Sequence, residues 1–311
     1  MKLPVRKAIG ATFAYFIAEL ATVIRIVWAP LLLMGVALAI ATPRYLQAVL
    51  AISDLGPQPD PNDVLPLVGP MFASLGLMSL IFALGYPMIF SGVMRHVIRG
   101  EAPRLPFYLN FGADELRVLG TYILVGLMTG LVYMVGAIGA AAVSAIFGAL
   151  GAITGAKALV GLGSLIIMVA FLGALLWFVL RMSLALPAAI GARTIGIAIS
   201  WEATKGNVLR LFGFWLFWIS LLIIVETVLL LILSPDYLAQ MGAMIAASPD
   251  QQAAHQMQTE MMRQQLQQLE HFSVLKTALT AGLGMVFGVL IFGLWASALG
   301  VAYRYVAPDA A

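Results

Sequence analysis

The chain has 311 residues, of which 62% are hydrophobic and 10% charged, with a net charge of +3 and no cysteine. Soluble domains are about half apolar and a quarter charged, so an ordinary water-soluble core is excluded. The lack of cysteine excludes disulfides, thiolate metal sites and a cysteine nucleophile. Continuous apolar runs of about 20 residues recur, without the alternation of a barrel strand, and predict an all-α integral membrane fold.

Residues 1–20 carry Lys2, Arg6 and Lys7 ahead of Phe13, Tyr15, Phe16 and Ile17, which predicts a basic amphipathic helix lying on a membrane surface. A first span follows at about 24–41. Ala39-Ile40-Ala41 also resembles a signal-peptide cleavage site, but Glu19 and Arg25 interrupt the leader it would require. Residues 42–66 hold Pro57, Pro59, Pro61, Asp54, Asp60 and Asp63, a composition that predicts turns rather than helix. The second span, about 67–92, ends in the positive cluster Arg95, Arg99 and Arg104.

From Val118 to Ala156 there is no charge for 39 residues, nearly twice the roughly 20 that cross a bilayer. The third span is therefore placed at about 118–141, with the Gly- and Ala-rich 142–156 as a hairpin extension or a re-entrant turn. Spans four, five and six follow at about 158–181, 211–233 and 277–303. Between the last two, the external loop 234–276 contains Ser248-Pro249-Asp250-Gln251, which reads as an N-cap with proline at the first helical position. Met257, Met261, Met262, Leu266 and Leu269 mark one face of the helix expected over 249–272, which either packs on the bundle or binds a protein partner.

Six spans with both termini inside can be tested against the basic residues. Lys2, Arg6, Lys7, Arg25, Arg95, Arg99, Arg104, Arg117, Arg181, Arg193, Lys205, Arg210 and Arg304 fall inside, against Arg44, Lys157, Arg263 and Lys276 outside. Thirteen of the 17 basic residues on one side is the asymmetry of cytoplasmic loops, so both termini are predicted to be cytoplasmic. Phe16, Tyr108 and Trp201 each stand nine residues before Arg25, Arg117 and Arg210. This spacing suggests three parallel two-helix units, about 1–99, 100–191 and 192–304, each preceded by an interfacial helix, within one polytopic domain spanning 1–311. Convergence of aromatics and arginines at any membrane interface gives the same pattern without duplication.

Ser183-Leu184-Ala185-Leu186-Pro187-Ala188, followed by Ser200-Trp201-Glu202-Ala203-Thr204-Lys205-Gly206-Asn207 and Leu209-Arg210-Leu211-Phe212, resembles a signature in the membrane domain of bacterial glycerophosphoryl diester phosphodiesterases and related polytopic inner-membrane proteins. The match lies mainly over 183–213. It implies a helical module of the bacterial cytoplasmic (inner) membrane without chemistry of its own.

Read physically, the same stretch is a helix ending at Gly206 and another beginning near Asn207, whose side chain can cap exposed N–H groups. With Lys205 and Arg210 beside it, that helix start suits the phosphate of an anionic phospholipid. Arg25 and Arg117 are expected to act as equivalent lipid anchors. Glu226 is the one acidic residue well inside a span, which makes it the candidate for proton or cation coupling if the chain is a small transporter, or a hydrogen-bonded neutral carboxyl if it is not.

Gly126/Gly130 and Gly284/Gly288 predict close approach of spans three and six to their neighbours. His96, His255 and His271 lack ligand spacing, so no metal is expected. Walker A, nucleophile-elbow and HExxH patterns are absent, and no catalytic residue, cofactor or nucleic-acid partner is expected. The reading is a non-enzymatic membrane module that engages anionic lipid or a protein partner, the alternative being a permease-like protein built around Glu226.

Overall fold

A computed structural model of the chain describes residues 2–56, 59–103, 107–155, 157–233, 239, 242, 246, 251–270 and 274–307. Its elements, in order, are α1 (Val5–Ala18), α2 (Leu20–Asp54), α3 (Pro61–Arg99), α4 (Ala113–Thr154), α5 (Lys157–Met182), α6 (Ala185–Gly191), α7 (Ile197–Ala203), α8 (Val208–Leu233), α9 (Gln251–Glu270) and α10 (Val274–Val306). Six of these, α2, α3, α4, α5, α8 and α10, are long and apolar enough to cross a membrane. The Ser248-Pro249-Asp250 cap and Arg104 lie outside the described residues.

The helices are longer than the expected spans. The turn-rich loop placed at 42–66 is helical at both ends, leaving only 55–60 as connection. Leu46, Ala48 and Leu50 are buried, so packing carries α2 past Pro43 to Asp54. Pro61 sits at the start of α3, where its missing N–H costs nothing, and Asp60 accepts from Asn62 N at 2.8 Å as the N-cap.

The uncharged stretch after Val118 is likewise one helix to Thr154, ended by Gly155 in the left-handed conformation (φ 69°). It is neither broken nor re-entrant. Its small residues explain why: the Phe171 ring fills the space beside Gly136, and Phe147 fills the notch at Gly163, so α4 and α5 close tightly along their length. At 1.5 Å per residue, 42 residues extend about 63 Å, twice the roughly 30 Å hydrocarbon core.

Packing is uneven along the bundle. One end holds a dense core of Phe16, Val23, Met94, Leu211, Phe214, Trp218 and Tyr303 from α1, α2, α3, α8 and α10. Away from that end, Leu127, Val135, Ile146 and Ile153 of α4 lie exposed. Helix α3 packs against both α2 and α10, while α1 lies across α10 and the start of α8. Helices α2–α3 and α4–α5 are close antiparallel pairs, whereas α8 meets α10 mainly through side chains, with the Trp215 and Trp295 ring centres 4.9 Å apart, because α10 packs chiefly into the α2–α3 groove. Gly288 meets Leu31 there, but Gly126, Gly130 and Gly284 face open space and mediate no close approach among the described residues.

At the far end of α2, α9 lies against it. Thr259 and Ser53 share a hydrogen bond at 3.2 Å, and Arg263 pairs with Asp54 at 2.5 Å. The Gln- and Met-rich helix therefore packs on the bundle.

Candidate functional site

The densest polar cluster sits where α3 ends and α4 begins. Asp114 and Glu115 occupy the first turn of α4, where the helix dipole favours acids. Glu115 is fully buried. Its Oε1 accepts from Ser91 Oγ at 2.7 Å, Arg95 Nη2 at 2.7 Å and Tyr108 OH at 2.8 Å, and its Oε2 accepts from Gly112 N at 2.8 Å.

Asp114 pairs with Arg99 Nη1 at 2.8 Å, Arg117 Nη1 at 2.7 Å and Arg95 Nη1 at 3.7 Å. Arg99 also donates to the Ile190 carbonyl, which draws α6 onto the same joint. Glu101 lies 3.9 Å from Arg95 and 3.8 Å from Arg99, so three arginines balance three carboxylates. A cavity of about 680 Å³ opens beside this network, lined in part by Arg95, Glu101, Tyr108 and Asn110. The carboxylates are committed to arginine, and the network is a clamp between α3, α4 and α6.

The three anchors expected to be equivalent occupy different environments. Arg25 is exposed on α2 with no ionic partner among the described residues, Arg117 is held by Asp114, and Arg210 donates to the Leu3 carbonyl at 3.2 Å. Residues 107–112 are not helical, so Tyr108 has no interfacial helix to match those of α1 and α7; its hydroxyl binds Glu115 instead.

Helix α7 ends at Ala203, before Gly206, and a turn over Thr204–Asn207 leads into α8. Asn207 Oδ1 accepts from Leu3 N at 2.8 Å, so Asn207 and Arg210 grip both polar groups of one buried N-terminal peptide residue. Lys205 is exposed beside this clamp. Glu226 lies on the exposed side of α8, among the exposed Ile223, Ile224 and Val228, and lines none of the cavities described here.

Two further groups were not singled out from the sequence. Glu19, between α1 and α2, meets His96 Nε2 at 3.1 Å and accepts from Thr22 Oγ1 at 3.1 Å. The hydrogen bond to His96, and then that from Thr22, holds the Glu19 carboxyl below its usual range. Burial, with the Glu19 charge second, pushes the neighbouring Tyr15 phenol well above its usual value.

The other group is Arg181, in the last turn of α5, which is 6% exposed. Its guanidinium lies 4.4 Å from the Trp201 ring centre and 5.9 Å from that of Trp177. The signal was present in the sequence, because Trp177 precedes Arg181 by one helical turn. The pairing with Trp201 depends on how α7 folds back. Comparison of the chain with protein families, with curated proteins and with solved structures finds no match.

Proposed function

We propose that this chain is a non-enzymatic, multi-pass module of the bacterial inner membrane that engages anionic phospholipid through a basic cytoplasmic surface at the densely packed end of the bundle. The observation that carries this reading is the distribution of charge. Thirteen of 17 basic residues are assigned to one side of the membrane, in connecting segments and in the helix ends that border them, the bias that fixes such segments in the cytoplasm and draws them to anionic headgroups. Of the basic residues expected to bind lipid, Arg25 and Lys205 are exposed and their side chains form no ion pair or hydrogen bond among the described residues, and Lys2, Arg6, Lys7 and Arg193 add further exposed charge. Arg117, Asn207 and Arg210 serve chiefly to hold the fold. The resemblance of 183–213 to phosphodiesterase membrane domains belongs to the same proposal, which gives α9 a supporting role against α2.

The permease-like alternative gains no support from Glu226, which faces outward from α8. Each exposed basic residue near an anionic surface contributes about 1 kcal/mol. Arg25→Gln/Lys205→Gln is therefore expected to lower the share of anionic lipid co-purifying with the protein several-fold, with insertion unchanged. An unaltered lipid profile in the correctly inserted double variant rejects the lipid role.

A further inference from the structure

The end of α5 holds a buried positive charge that no described residue neutralises. Arg181 forms no ion pair among the described residues, and its Nε is buried without a hydrogen-bond partner. The backbone of the same residue does the structural work: its carbonyl accepts from Ser200 Oγ at 2.8 Å and from Thr204 Oγ1 at 3.2 Å, which fixes α7 across the end of α5. That joint does not need the guanidinium.

The side chain is instead framed by two indoles, Trp201 across its face and Trp177 beside it, themselves edge-to-face at 5.4 Å. Stacking offsets part of the cost of burying a charge, but an indole accepts nothing from the in-plane N–H groups of a guanidinium. Those donors match the forked oxygens of a carboxylate or a phosphate.

The surroundings decide between the two. Trp177 is 47% exposed on the outer face of a span, the position of an aromatic at headgroup depth. Leu176 and Leu180, each one residue before Trp177 and Arg181, line a half-open apolar cavity of about 350 Å³ bounded also by Phe212, Trp215 and Trp295. One residue along a helix is a rotation of about 100°, so the charged and apolar sites occupy adjacent faces of the same two turns. A ligand with a phosphate and a hydrocarbon chain satisfies both.

We infer that Arg181, framed by Trp177 and Trp201, binds the phosphate of a membrane phospholipid whose acyl chain occupies the cavity beside Leu180. The inference deepens the lipid-engaging reading above but stands on different residues, since Arg25 and Lys205 take no part in it.

The test is titration of the full-length protein in detergent with phosphatidylglycerol, followed by native mass spectrometry. One tight adduct is expected for the parent and for Arg25→Gln/Lys205→Gln, unaffected by excess inorganic phosphate. It should weaken about tenfold in Arg181→Gln, as expected for loss of a charged hydrogen bond, and also in Arg181→Lys, whose ammonium lacks the planar fork. Leu176→Trp, which fills the cavity and leaves Arg181 in place, should weaken it as well, and this arm stands if Arg181→Gln fails to fold. Equal affinity across the parent, Arg181→Lys and Leu176→Trp overturns the inference. Loss confined to Arg25→Gln/Lys205→Gln overturns it while leaving the surface reading intact. Displacement by inorganic phosphate overturns the lipid assignment in favour of a soluble phosphate.

Discussion

Glu115 is the residue on which the joint between α3 and α4 most depends. A buried carboxylate is stable only while its donors are in place, and breaking such a pair from one side leaves uncompensated charge. Glu115→Ala strands Arg95, and it should cost about 3–5 kcal/mol by equilibrium unfolding in mild denaturant. A loss below 1 kcal/mol would mean that the network is incidental. Glu19 makes a pH prediction. Its folded pKa lies below the unfolded value, so its contribution is present above the ordinary carboxylate range and is lost as pH falls through the folded value. The melting temperature of the parent should therefore drop more steeply on acidification than that of Glu19→Gln. Parallel curves would show that the His96 and Thr22 contacts carry no net stability.

At the scale of elements, close approach and length decide what is stable. Gly196 begins α7 where a Cβ would overlap the Ala185 carbonyl oxygen and crowd the Ala189 nitrogen. Gly196→Ala should thus force α6 and α7 apart, at a cost of roughly 1–3 kcal/mol or more, read as a lower melting temperature. The ion pair that joins α9 to α2 is half exposed on both sides, so Arg263→Ala should cost less than about 1 kcal/mol.

Six spans were legible because continuous apolar runs report directly on the bilayer. Their ends were not, since proline and glycine mark turns only when no neighbour compensates. Pro43 and the Gly/Ala run after 141 both have a partner helix alongside. The candidate site was legible in part. Asn207 and Arg210 stand out by type and position, but their shared contact with Leu3 spans more than 200 residues. No local pattern reports a contact of that range. In the sequence Arg181 reads only as a charge at the end of a span, and its burial against Trp201 follows only from the fold of α7.

At the scale of the whole molecule, the proposed function places the densely packed basic end in the cytoplasm and α9 on the opposite side. The lipid proposals require this orientation, since the headgroup sites must meet the anionic inner leaflet. The parent has no cysteine, so single cysteines at two exposed positions, Glu202 near the end of α7 and Gln258 on α9, report each side without background. The direct measurement is labelling of both variants in cells with a membrane-impermeant maleimide that reaches the periplasm, before and after the inner membrane is opened. With the basic end in the cytoplasm, Gln258→Cys labels in intact cells and Glu202→Cys only after opening. Labelling of Glu202→Cys in intact cells, with Gln258→Cys protected, would contradict that orientation.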